Sequence, residues 1–386
     1  MKEKIINRNS KTHPQRGRMK KGITETLKVA GILVAIFLFC TIGLLPQPVQ
    51  ATYTVTANIT GLNAPTGMAI TPTGGFLYVA NGGSGSVSVI NTATNAVTAT
   101  ITVGTNPTGM AVTPDGTYVY VANYGSGSVS VINTATNAVT AAITVGTSPH
   151  SVGVTPNGAY AYVANGGSGS VSVINTATNK VTATITVGGN PVGVRVTPNG
   201  AYAYVASTGG SVSVINTVTN KVTATITVGS TPVGLAIAPN GASVYVANSG
   251  SGSVSVISTA TNTVTATVTV GSIPTGVAIT PNGAYAYVPN SGGTTVSVIS
   301  TATNAVAENI TGLSDPTGVV VTPNGAYAYV TNVGNGSISV INIAITASPS
   351  PSVPEFSSAV LVSVVVVMIA SAISVIVLKT RNEKTL

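Results

Sequence analysis

The chain has 386 residues, only 6% of them charged, and it lacks Trp; Gly, Thr, Val, Ala, Ser and Asn dominate, the vocabulary of short strands and tight turns rather than of long amphipathic helices. The formal charge of +8 sits at the ends, with nine Lys or Arg in residues 1–28 and three in 379–384, whereas residues 53–347 hold only Lys180, Arg195 and Lys221 against Asp115, Glu308 and Asp315. A balanced body has no basic stripe to neutralise phosphates, so nucleic acid is excluded as a partner.

At the N-terminus a basic opening leads into an uncharged apolar run over residues 29–45, then Pro46, Pro48 and the small-residue pattern Val49-Gln50-Ala51. This reads as a signal peptide over 1–51, cleaved after Ala51. The long basic region leaves an uncleaved signal anchor as the alternative, and both export the body of the chain. Cys40, the sole cysteine, lies within that run, so the body has no disulfide, Cys-ligated metal or Cys nucleophile.

Residues 52–347 repeat one unit seven times. A proline opens the same phrase at Pro65, Pro107, Pro149, Pro191, Pro232, Pro274 and Pro316, spaced 42, 42, 42, 41, 42 and 42 residues apart. In the second unit the alternation predicts strands over 108–113, 117–122, 128–132 and 139–145, separated by Pro114-Asp115-Gly116, a glycine loop and Thr134-Ala135-Thr136-Asn137. A four-stranded antiparallel unit of this length cannot bury both faces alone and marks a propeller blade. The expected fold is therefore all-β, a seven-bladed β-propeller with flanking hydrophobic helices. The seventh unit supplies three strands by residue 342, and residues 53–59 match a fourth strand, so an N-terminal strand is expected to close the ring and hide two sheet edges.

The second strand of each unit ends in a near-constant phrase: Tyr78-Val79-Ala80-Asn81, its counterparts closing on Asn123, Asn165, Ser207, Asn248 and Asn290, and finally Tyr329-Val330-Thr331-Asn332. On this phrase the chain resembles the YVTN family of β-propeller repeats found in archaeal surface-layer and surface-antigen proteins, over about three quarters of its length. Ser207 and Pro289 depart from the pattern in single blades.

Beyond the repeats, residues 348–356 form a Ser/Pro linker, 357–378 an uncharged run long enough to span a bilayer, and 379–386 a basic tail that should stay cytoplasmic. Pro354-Glu355-Phe356, the apolar helix and the basic tail resemble PEF-type archaeal C-terminal sorting signals. That resemblance implies processing by an archaeosortase; a plain membrane anchor is the alternative, and both place the body at the cell surface.

Chemistry is sparsely provided. The body's three acids lie in different places along the repeats, and His150 is its one histidine, so neither a carboxylate pair nor a triad nor a metal site is indicated. Glycine runs such as Gly82-Gly83 lack the Lys and the helix of a phosphate loop. Twelve of the fourteen tyrosines fall in second strands, at positions expected to form interblade core. Copies differ most on the face of the glycine loops: His150-Ser151 replaces Thr-Gly or Val-Gly, Tyr124 stands alone, and Arg195 replaces Ala, Gly or Val. First strands should line the channel, which makes His150, Arg195 and Tyr124 the candidate ligand-binding residues, for an anion. Asn58, Asn309 and Asn335 begin Asn-x-Ser/Thr sequons, candidate N-glycosylation sites. The expectation is a non-enzymatic surface scaffold for a surface layer, adhesion or contact with envelope proteins and glycans, without metal or cofactor. A lactonase-like or redox enzyme, or a small-ligand receptor using the channel, is the alternative.

Overall fold

The structure, a computed structural model, describes residues 50–346. The expected signal, linker, sorting motif Pro354-Glu355-Phe356, membrane helix and basic tail lie outside the described residues. Among the described residues no helix is long and apolar enough to cross a membrane, and the only helix is a short 3-10 turn, Val333–Asn335.

Seven four-stranded antiparallel sheets form the blades of a propeller. In blade two the strands are Pro107–Val112, Tyr118–Asn123, Ser128–Asn133 and Ala138–Thr144, each within one residue of the alternation seen in the sequence. The turns follow from their residues. Gly116 and Asn137 take the left-handed conformation, with φ of 75° and 51°, which glycine and asparagine tolerate best. The Asn133 side-chain oxygen accepts from the amides of Ala135 and Thr136 at 3.0 and 3.1 Å, folding the third-to-fourth turn.

Third strands are buried along most of their length because neighbouring blades cover both faces, whereas fourth strands such as Ala138–Thr144 are largely exposed apart from one isoleucine. The core consequently lies between blades. Tyr120, Val129 and Val131 of blade two pack with Val152, Val163 and Ile174 of blade three. Asparagine at the end of the second strand ties that strand to the third: Asn123 Nδ2 donates to Ser128 Oγ at 3.2 Å and Ser130 Oγ at 3.0 Å. Ser207 cannot make this tie, and the loop after it, Thr208-Gly209-Gly210, is one residue shorter than the corresponding loop 166–169 of blade three.

In the seventh sheet the N-terminal strand Gln50–Ile59 lies outside Ser337–Thr346, followed by Tyr327–Asn332 and Pro316–Val321. The first described strand thus completes the last blade. Thr56 Oγ1 donates to the Val340 carbonyl at 3.2 Å, Ser339 Oγ to Asn58 Oδ1 at 2.9 Å, and Ile59 is buried with Leu77, Ile338 and Val340. The third strand of this blade runs to Thr346, beyond the expected end at 342, matching the ten residues of its N-terminal partner.

Candidate functional site

The seven first strands converge on the central channel, where glycine two residues after the blade-opening proline, in every blade but the third, permits close approach. A Cβ on Gly109 would stand 2.5 Å from the His150 carbonyl oxygen, and one on Gly234 2.6 Å from that of Thr275. Threonines one residue after the proline strap part of the ring together: Thr108 Oγ1 donates to the His150 carbonyl at 2.9 Å, and Thr275 Oγ1 to the Thr317 carbonyl at 2.7 Å. Blades three, four and five carry His150, Val192 and Val233 there instead, so the strap lapses over that sector.

Blades three and four also have fuller pairing between their first two strands. Ser151 pairs with Ala164 and Gly193 with Ala206, whereas blades one, two, five and seven pair nothing between the proline and the third residue after it. A cavity of about 320 Å³ opens here, lined by His150, Ser151, Val192, Arg195 and Val233 with Thr, Gly and Met from the other blades. No carboxylate lines it.

Arg195 and Ser151, on adjacent blades, meet in this cavity: Nη1 donates to Ser151 Oγ at 3.4 Å and to the Val194 carbonyl at 2.8 Å. Arg195 is an exposed residue, and its setting among the first strands partly desolvates the guanidinium, which lowers its pKa from the ordinary value. Even lowered, an arginine stays charged at neutral pH. His150 is half-buried, and burial lowers its pKa, favouring the neutral imidazole. Its ring meets Tyr124 edge-on, centroids 4.8 Å apart at 61°. His150 and Arg195 therefore share the cavity, while Tyr124 touches the imidazole and is not part of the lining. The sequence singled out all three because they break the repeat. It carried no signal for Ser151 as the hydroxyl against Arg195, nor for the threonine strap, because both contacts cross from one blade to the next.

The other candidates lie elsewhere. Asn58 and Asn309 are exposed at matching positions on the outer strands of blades seven and six, and their side-chain oxygens accept from Ser339 and Ser297 at 2.9 and 2.8 Å. Asn335 is exposed in the 3-10 turn and accepts from Ser337 at 2.7 Å. Among the described residues no three His, Cys, Asp or Glu side chains gather as a metal site would require. A fixed cation with a neutral imidazole nearby and no competing carboxylate can hold an anion or polarise a carbonyl.

The family model described as "Lactonase, 7-bladed beta-propeller" matches residues 45–300. No curated protein matches the sequence. Among solved structures, hydrazine synthase of Kuenenia stuttgartiensis is similar at 24% identity and a TM-score of 0.68, over 74% of this chain and 97% of that one. The Cps50 (Swd1) β-propeller domain of Myceliophteria thermophila is similar at 13% identity and a TM-score of 0.66, over 76% of this chain and all of that domain. Both likenesses concern the fold alone.

Proposed function

We propose that this chain, which belongs to the seven-bladed β-propeller lactonase family, is an exported, non-enzymatic binding propeller held at the cell envelope, whose channel mouth takes a small anion. The observation that carries the reading is Arg195, an exposed cation in the open channel cavity with no carboxylate in its lining. A guanidinium with no carboxylate partner keeps N–H donors available for charge-assisted hydrogen bonds to an anionic ligand. Export and anchoring draw their support from the apolar runs at 29–45 and 357–378 with their basic flanks. The partners proposed outside the channel are envelope proteins and glycans, with archaeosortase processing at Pro354-Glu355-Phe356 and glycans on Asn58, Asn309 and Asn335.

One observation favours a second reading, lactone hydrolysis: a neutral His150 beside a cationic Arg195 supplies a general base and a carbonyl-polarising group. Proton spectroscopy of γ-butyrolactone and 4-hydroxybutyrate mixed with the chain separates the two. Binding predicts broadened hydroxybutyrate signals and lactone opening no faster than in buffer. Accelerated opening that disappears in His150→Ala would replace the binding reading with the enzymatic one.

A further inference from the structure

The face opposite the channel mouth carries the first-to-second and third-to-fourth turns, and on it the paired tyrosines of the second strands divide. Tyr160 and Tyr202 are each 38% exposed, whereas Tyr162 and Tyr204, two residues on, are each 1% exposed. The exposed member stands beside a groove between adjacent blades, and the groove recurs. Between blades three and four it is walled by Tyr160, Pro156 and Asn157 on one side and Asn199, Thr217 and Val218 on the other, about 440 Å³ in volume. Between blades four and five Tyr202, Pro198 and Asn199 face Asn240 and Thr259 across about 390 Å³. Between blades two and three Tyr118, Pro114 and Asp115 face Asn157 and Thr176 across about 490 Å³.

We propose that these grooves form a multivalent site for neutral carbohydrate. Each combines a partly exposed phenol and a proline ring, apolar surfaces suited to the C–H face of a sugar, with amide and hydroxyl groups suited to its rim. The asparagines are half-committed. Asn157 Oδ1 accepts from Thr155 Oγ1 at 2.7 Å and from the Ala159 amide at 3.0 Å, and Asn199 does the same with Thr197 and Ala201. This fixes the amide and leaves its Nδ2 free to donate to a ligand. No Lys or Arg lines any of the three grooves, and Asp115 is their one charge, so the chemistry selects against phosphate and acidic sugars. Adjacent copies at successive junctions suit a repeating polymer, for which linked sites raise apparent affinity by about 10²- to 10⁴-fold. The proposal does not depend on the channel, which opens on the other face.

Blade five supplies the test, since Ser243 stands where its neighbours have tyrosine, so the fold already accepts serine there. The full chain and the triple variant Tyr118→Ser, Tyr160→Ser, Tyr202→Ser are passed over immobilised mannan, galactan and chitin oligosaccharide conjugates, with melting temperature as the check on folding. The wild type should hold at least one conjugate, insensitive to salt, and the triple variant should bind it about a hundredfold more weakly or worse. Should the triple variant melt early, Tyr202→Ser alone should weaken binding about threefold to tenfold. No binding to any conjugate, equal binding by the folded variants, or binding abolished by salt would each overturn the proposal.

Discussion

The hydroxyl of Tyr120 donates a 2.7 Å hydrogen bond to the side-chain oxygen of Asn179, one blade further round the ring. The same pair joins Tyr78 to Asn137, Tyr162 to Asn220, Tyr204 to Asn262, Tyr245 to Asn304 and Tyr329 to Asn95, at 2.8–3.2 Å. Each asparagine does two tasks, closing its own turn at a positive φ and accepting from the preceding blade. Tyr120→Phe should therefore lower unfolding free energy by about 1 kcal/mol. Asn179→Gly should lose a similar amount, and Asn179→Ala about 1–2 kcal/mol more because alanine resists the left-handed conformation. Urea denaturation of the three variants checks the order.

Burial pushes the phenols of Tyr120, Tyr162 and Tyr204 up to about 12 from 10.0. Because the folded-state pKa is the higher one, the folded protein holds its protons longer as pH rises. The stability these groups contribute is complete below pH about 10 and is lost as pH climbs toward about 12. Phenolate absorbance should accordingly rise in two stages, exposed tyrosines first and the buried set together with unfolding. A single gradual rise with the fold intact would contradict this.

The seventh interface has no third-to-fourth turn to supply an asparagine, because the fourth strand of blade seven comes from the N-terminus. Tyr53 takes the place, its ring edge-on to Tyr287 with centroids 5.8 Å apart at 88°. Deleting residues 50–59 should expose an edge strand and the Ile310, Leu313 and Ile341 cluster, giving a clearly lower melting temperature and a tendency to aggregate. A synthetic peptide covering 50–62 should restore the melting temperature. Unchanged stability of the deleted chain would refute closure by this strand.

Ile273 occupies the residue before Pro274 at φ 51°, where the corresponding residues Asn106 and Asn190 adopt φ of 50° and 53°. A β-branched side chain is strained in that conformation. Ile273→Asn should stabilise the chain by about 1 kcal/mol, measured as a raised urea midpoint with an unchanged slope.

Blade number, strand order and the closing strand were legible in the sequence because the spacing of Pro65, Pro107 and their successors is nearly constant and residues 53–59 match a fourth strand. His150 and Arg195 were legible because they break that constancy. What was hidden depends on distances between blades. Tyr118 and Tyr120 share a sheet face by period two, yet the second lies deep between blades and the first at the rim, a difference in depth that alternation does not encode. The approach of Ser151 to Arg195 and the edge contact of Tyr124 with His150 were hidden for the same reason: each crosses between blades.

The anion at the channel mouth is tested most directly by calorimetric titration of the full chain with acetate, 4-hydroxybutyrate and phosphate, beside the Arg195→Gln variant at matched ionic strength. A cation held for a ligand predicts saturable binding of at least one of these anions, weakened about tenfold or more in the variant. Equal affinity in the two proteins, or no binding of any of the three, would contradict it.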